Sequence, residues 1–91
     1  MTTVKWNITE TGDNFVRPVT MNNPTENVVL WKITNNSENA VKIHDGLGDE
    51  ITDLLLPRMS SLIFALAGSV VITLTAGSEA NGKIKFISRV A

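Results

Sequence analysis

Ser61-Leu62-Ile63-Phe64-Ala65-Leu66-Ala67-Gly68-Ser69-Val70-Val71-Ile72-Thr73-Leu74-Thr75-Ala76 is the stretch whose reading decides the fold. It carries no charge, it is rich in β-branched residues, and only Gly68-Ser69 interrupts it. It therefore reads as two strands. A strand with one wet face alternates apolar and polar residues, whereas a strand apolar on both faces needs a cover on each side. Leu62, Phe64 and Leu66 can fill the interior of a sandwich. Ile63, on the opposite face, then needs another cover, and so does Val71 against Val70, Ile72 and Leu74. Leu54, Leu55 and Leu56 raise the same question.

Outward from this stretch, the rest of the chain repeats short strand signals separated by turns. Val4, Trp6 and Ile8 alternate with Lys5, Asn7 and Thr9. Thr11-Gly12-Asp13-Asn14 is a turn, and Phe15 to Val19 is a short extended piece with Pro18, the mark of an edge. Residues 21–27 form a loop by composition. Val28 to Thr34 is a strong strand with Val29, Trp31 and Ile33 on one face. The polar turn Asn35-Asn36-Ser37-Glu38-Asn39 leads to Ala40–His44, expected as its hairpin partner. Ile51–Leu56 reads as a strand or a single helical turn closed by Pro57. Gly77–Gly82 reads as a loop. Lys83–Val90 closes the chain, with Ile84, Phe86 and Val90 inward and Lys83, Lys85 and Arg89 outward.

No segment sustains a helical period. Seven to eight short strands with regular turn signals predict an all-β fold. The expected form is one small antiparallel β-sandwich spanning residues 1–91, either immunoglobulin-like or jelly-roll-like. The 91 residues suffice for a single modest core. Their 43% hydrophobic and 19% charged content is that of a globular chain. Trp6 and Trp31 sit among apolar neighbours and are expected as core anchors.

The order Val28–Ser37, then Val41-Lys42-Ile43, then Leu56-Pro57-Arg58-Met59-Ser60-Ser61-Leu62 resembles many immunoglobulin-like sandwiches. Pilus-chaperone and sperm-protein domains share the sequence of strand, Asn-rich turn, strand, and Pro before a strand. The resemblance covers about a third of the chain and implies the architecture; it transfers no function.

Several chemistries lack their residues. The chain has no cysteine, so disulfides, thiolate metal sites, iron–sulfur clusters and cysteine nucleophiles are excluded. That absence leans towards assembly in a reducing cytosol. A net charge of −1 gives no long-range field to draw nucleic acid or an acidic membrane, and neither is expected as a partner. The start, Met1–Asn7, lacks a basic segment followed by an apolar core, so no signal peptide is expected. Asn7-Ile8-Thr9 and Asn35-Asn36-Ser37 fit the glycosylation sequon but read as chance matches.

The lone histidine, His44, precedes Asp45 and could orient a general base, yet no serine lies in a nucleophile-elbow motif. The expectation is a loop-edge histidine open to water. Asp45, Asp49, Glu50 and Asp53 form an oxygen-rich segment, a weak calcium candidate whose spacing departs from an EF-hand. A copper site would need a thiolate and a second imidazole, both missing. Lys5, Lys83, Lys85 and Arg89 form a basic stripe if the first and last strands are neighbours. No exposed aromatic interleaves with it, as a single-strand binder would want.

The leading expectation is a non-enzymatic structural module that works without a cofactor. It self-associates into a homo-oligomer or docks on a larger assembly, such as a virus capsid that it decorates. Assembly would be cytoplasmic, with incorporation into a virion. The candidate interface is Leu62, Ile63, Phe64, Val71 and Leu55, because an exposed apolar patch invites association. The alternative is a small ligand-binding β-sandwich domain, for carbohydrate or another ligand or assisted by calcium in the acidic loop, with Trp6 or Trp31 exposed.

Overall fold

A computed structural model describes residues 3–11, 14–22, 28–44 and 53–89. Nine strands appear among them. They are β1 (Thr3–Ile8), β2 (Glu10–Thr11), β3 (Asn14–Met21), β4 (Val28–Asn35), β5 (Val41–His44), β6 (Asp53–Leu56), β7 (Ser61–Ala67), β8 (Val70–Ala76) and β9 (Ala80–Arg89). They form two antiparallel sheets. Sheet A has the order β1-β9-β4-β7, and sheet B has the order β2-β3-β8-β5-β6. The fold is all-β, as the strand signals predict, and its inner faces meet as a small β-sandwich.

The pairings nest. At the tip of the chain path β5 pairs with β6; around it β4 pairs with β7, then β3 with β8, then β1 with β9. The chain is thus one long antiparallel ribbon, rolled so that successive strand pairs fall in opposite sheets. The β4–β9 and β5–β8 ladders hold the roll shut.

Side-chain alternation places the core between the sheets. Trp6, Ile8, Trp31, Ile33, Leu66, Ile84 and Phe86 come from sheet A, and Val19, Met21, Val41, Ile43, Leu56, Ile72 and Leu74 from sheet B. Each aliphatic side chain so buried contributes about 1.5–3 kcal/mol. Both tryptophans are fully buried, and Trp31 meets Phe86 edge-on, with centroids 5.5 Å apart.

Three local readings are corrected. Val41–His44 is not the hairpin partner of Val28–Asn35; the two strands lie in different sheets. The reason is Asn35, which is fully buried. Its Nδ2 donates to the carbonyls of Asn39 (2.7 Å), Pro57 (3.2 Å) and Leu56 (3.3 Å), while its Oδ1 accepts from the N–H and hydroxyl of Ser37. One carboxamide thereby ties the link between β4 and β5 to the link between β6 and β7. The turn becomes a corner, and a sequon asparagine so enclosed is closed to modification.

Second, β9 begins at Ala80, inside the segment read as a loop. Gly82 pairs with Trp6, and a Cβ there would collide with the Thr34 carbonyl oxygen and the Trp6 indole. Glycine is present to seat the ring, not to break the strand. Third, Arg89 does not share the face of Lys85. Trp31 pairs with Phe86 but Leu30 with Ser88, so Ile87 is an extra residue. Such a bulge reverses the alternation beyond it and leaves Arg89 opposite the core residue Val29. Val90 lies outside the described residues.

Candidate functional site

Two features of sheet A stand out: its edge strand β7 and its outer face. In β7, Leu62 and Phe64 point inward but are only half-buried, Leu66 is buried, and Ser61, Ile63, Ala65 and Ala67 are exposed. The backbone phase follows from one bond. Asn35 N–H donates to the Ser60 carbonyl at 2.8 Å, and these two residues stand opposite each other in the extension of the β4–β7 register. Hydrogen-bonded and non-hydrogen-bonded pairs alternate along an antiparallel ladder. Leu62, Phe64 and Leu66 therefore turn their N–H and C=O groups to β4. Ser61, Ile63, Ala65 and Ala67 turn theirs away from it.

Beyond β7, sheet A has no further strand among the described residues. An unpaired strand with no charge, no proline and no bulge is a template for another chain. The other free borders are blunted. β1 carries Lys5 and also touches β3 and β8 of the facing sheet. β3 carries Arg17 and Pro18, and β6 has four residues and ends at Pro57.

The structure separates the five expected interface residues. Leu62, Ile63 and Phe64 lie on β7, with Ile63 56% exposed. Leu55 is exposed on β6, the border strand of sheet B. Since β1 packs by β3 at one side of the sandwich, the strand orders place β6 and β7 together at the other. Val71 is 52% exposed but belongs to β8, opposite Thr20 on the outer face of sheet B. It does not join the others.

The outer face of sheet A is basic. Lys5 stands opposite Lys83, and Lys32 opposite Lys85. Asn36 N–H donates to the Asn81 carbonyl at 2.9 Å, which sets the phase of the β4–β9 ladder. It makes Lys32–Lys85 a hydrogen-bonded pair and Lys5–Lys83 a non-hydrogen-bonded one, the type in which side chains stand closest. The neighbourhood of β1 and β9 was the condition for the basic stripe. Lys32 enters it only through the strand order, and Arg89 leaves it through the bulge. Beside the lysines, the hydroxyls of Thr34 and Ser61 share a hydrogen bond of 3.1 Å.

The remaining candidates fare as follows. His44 is the last residue of β5, at a strand end as expected, but it is half-buried and not open to water, and its Nε2 lies 2.6 Å from the Thr75 hydroxyl. The cross-strand neighbour, hidden from sequence, replaces water. Asp45, Asp49 and Glu50 lie outside the described residues. Asp53 begins β6, with its backbone opposite His44. No group of three or more His, Cys, Asp or Glu side chains that could hold a metal ion occurs among the described residues. Burial of Trp6 and Trp31 removes the aromatic platform on which a sugar would stack.

Neither the protein-family models, nor the curated proteins, nor the solved structures yield a match to this chain. Its own geometry is what speaks to function: a small all-β structural and interaction domain with one open edge among the described residues.

Proposed function

We propose that this domain is a jelly roll that assembles with a second copy of itself through β7, and that it serves in a protein shell such as a virus capsid, as a decorating or cementing subunit. The observation that carries the self-association is the seven-residue, uncharged edge of β7, which has no outer partner among the described residues. The second copy is the occupant favoured by the strand's own sequence. An antiparallel pairing about a two-fold axis through Phe64 sets Ser61 against Ala67 and Ile63 against Ala65. Every outward backbone group of the strand then meets one from the other copy. On the inner side Leu62 meets Leu66 and the two Phe64 rings meet, covering the half-buried apolar residues at the β6–β7 side. Such an interface is self-complementary and closes at the dimer.

The nested pairing supports the jelly-roll reading. With β1 and β2 taken as one strand bent at Thr9, the ribbon has the form of a double Greek key, an architecture used by viral capsid and lectin domains. Fold alone assigns no role; the shell role rests on the open edge and the cysteine-free chain. Cytoplasmic assembly accords with the latter.

Sedimentation velocity at micromolar concentration tests the assembly. The unmodified protein is expected as a dimer. Ile63→Glu places a carboxylate opposite Lys32 and a charge on the edge. Ala65→Pro removes an N–H that points away from β4. Both should give folded monomers with unchanged circular dichroism, while Val71→Lys should remain dimeric. A strictly monomeric parent protein would overturn self-association. Dissociation by Val71→Lys alone would move the interface to sheet B.

A further inference from the structure

The four strands of sheet A contain Lys5, Lys32, Lys83, Lys85 and Arg89 and not one carboxylate. All nine carboxylates of the chain lie elsewhere. A protein of net charge −1 has thus collected four of its eight cations, Lys5, Lys32, Lys83 and Lys85, on one sheet face. The lysines are not dispersed as a solubilising surface would have them. Twice they stand directly opposite one another across neighbouring strands, an arrangement that costs stability. The Arg58–Glu38 ion pair belongs to the turns beside Asn35 and Pro57 and offers no relief here.

The face is also concave at this point. A groove of about 440 Å³ is lined by Lys32, Thr34, Lys83, Lys85, Phe86 and Ile87. The bulge at Ile87 forms part of its wall, and bulges recur beside functional sites because they re-aim side chains. A cleft lined by one sign of charge concentrates counter-ions.

We propose that this groove binds a multiply charged phosphate chain. Cross-strand Lys32 and Lys85 have backbones about 5.5 Å apart, and Lys83 and Lys85 lie about 6.8 Å apart along β9. Three long side chains at that spacing converge on adjacent phosphates, whereas one carboxylate would neutralise only one of them. An ammonium is a point charge and needs no planar, bidentate partner. The exposed residues of the groove offer no aromatic ring for base stacking, so the phosphates are what is recognised. They can come from a free polyphosphate or from a nucleic-acid backbone. The lysines lie on β1, β4 and β9, so the proposal stands whether or not β7 pairs with a second copy.

A titration followed by amide NMR tests it, with sodium tripolyphosphate as the probe and sodium sulfate at equal ionic strength as control. Saturable shifts confined to residues 30–34 and 83–88 are expected. The double variant Lys83→Ala/Lys85→Ala should weaken binding at least tenfold, and Ala65→Pro should bind like the parent protein. Non-saturating shifts, an equal response to sulfate, or unchanged binding by the double variant would overturn the site. A 12-base-pair DNA duplex separates the sources. Binding at the same amides with a steep salt dependence points to a nucleic-acid backbone. Tripolyphosphate binding without duplex binding points to a free polyphosphate.

Discussion

The two border strands of sheet A, β1 and β7, have similar lengths and opposite fates. β1 is locked and marked. Trp6 lies over Gly82, the strand rests against β3 and β8, and Lys5 projects from its outer face. β7 is held by β4, carries no charge, and leaves Leu62 and Phe64 half-buried. Protected borders keep a β-protein from pairing with its neighbours. In the proposed dimer, this contrast between the two borders directs assembly to β7.

The largest expected effect tests what locks β1. Gly82→Ala puts a methyl group where the Trp6 indole and the Thr34 carbonyl already stand. The loss should be about 3 kcal/mol in urea unfolding, at the upper end for overpacking. A loss below about 1 kcal/mol would show that both the indole and the Thr34 carbonyl can give way and that β1 is not locked. Next, Lys5→Ile makes β1 resemble β7. With two apolar borders the sheet can extend in both directions, so light scattering should report species beyond the dimer. A persistent dimer would assign the protection to the contact with β3. In the other direction, Ile63→Glu makes β7 resemble a guarded border and should abolish the dimer without loss of fold.

The smallest effect concerns the strands between these borders. Lys85→Glu turns the like-charge pair with Lys32 into an opposite one and should stabilise the domain by about 0.5 kcal/mol. The gain should shrink as salt is added. The same substitution should abolish tripolyphosphate binding. Destabilisation instead would mean that the lysines already have anionic partners.

Much of the fold was legible because a strand's period of two is a local property. The inward sets of β1, β4 and β7, and the breaks at Gly68 and Pro57, follow from residue order alone. Gly68 has φ of 72°, a conformation that glycine adopts without strain, and it turns the chain from sheet A to sheet B. What failed involved residues whose meaning comes from a distant neighbour. Gly82 looks like a loop glycine until Trp6 covers it. Asn35 looks like a turn residue until the carbonyls of Leu56 and Pro57 reach its amide. The phase of β9 is lost at Ile87 because a bulge answers to the partner strand. Of the expected interface, Ile63 was visible as an apolar residue on the wrong face, but its distance from Val71 was not. Lys32 gave no signal in its own strand.

Sequence by itself determined that the chain is all-β, cysteine-free and apolar beyond what one sheet face needs, because composition and alternation act within a few residues. Only the tertiary structure decided that Ser61–Ala67 is a border strand, that Val70–Ala76 is an inner one, and that four lysines share a face. Strand order is set by the nested pairing of segments far apart in the chain, and no local pattern encodes which strand is left without a neighbour.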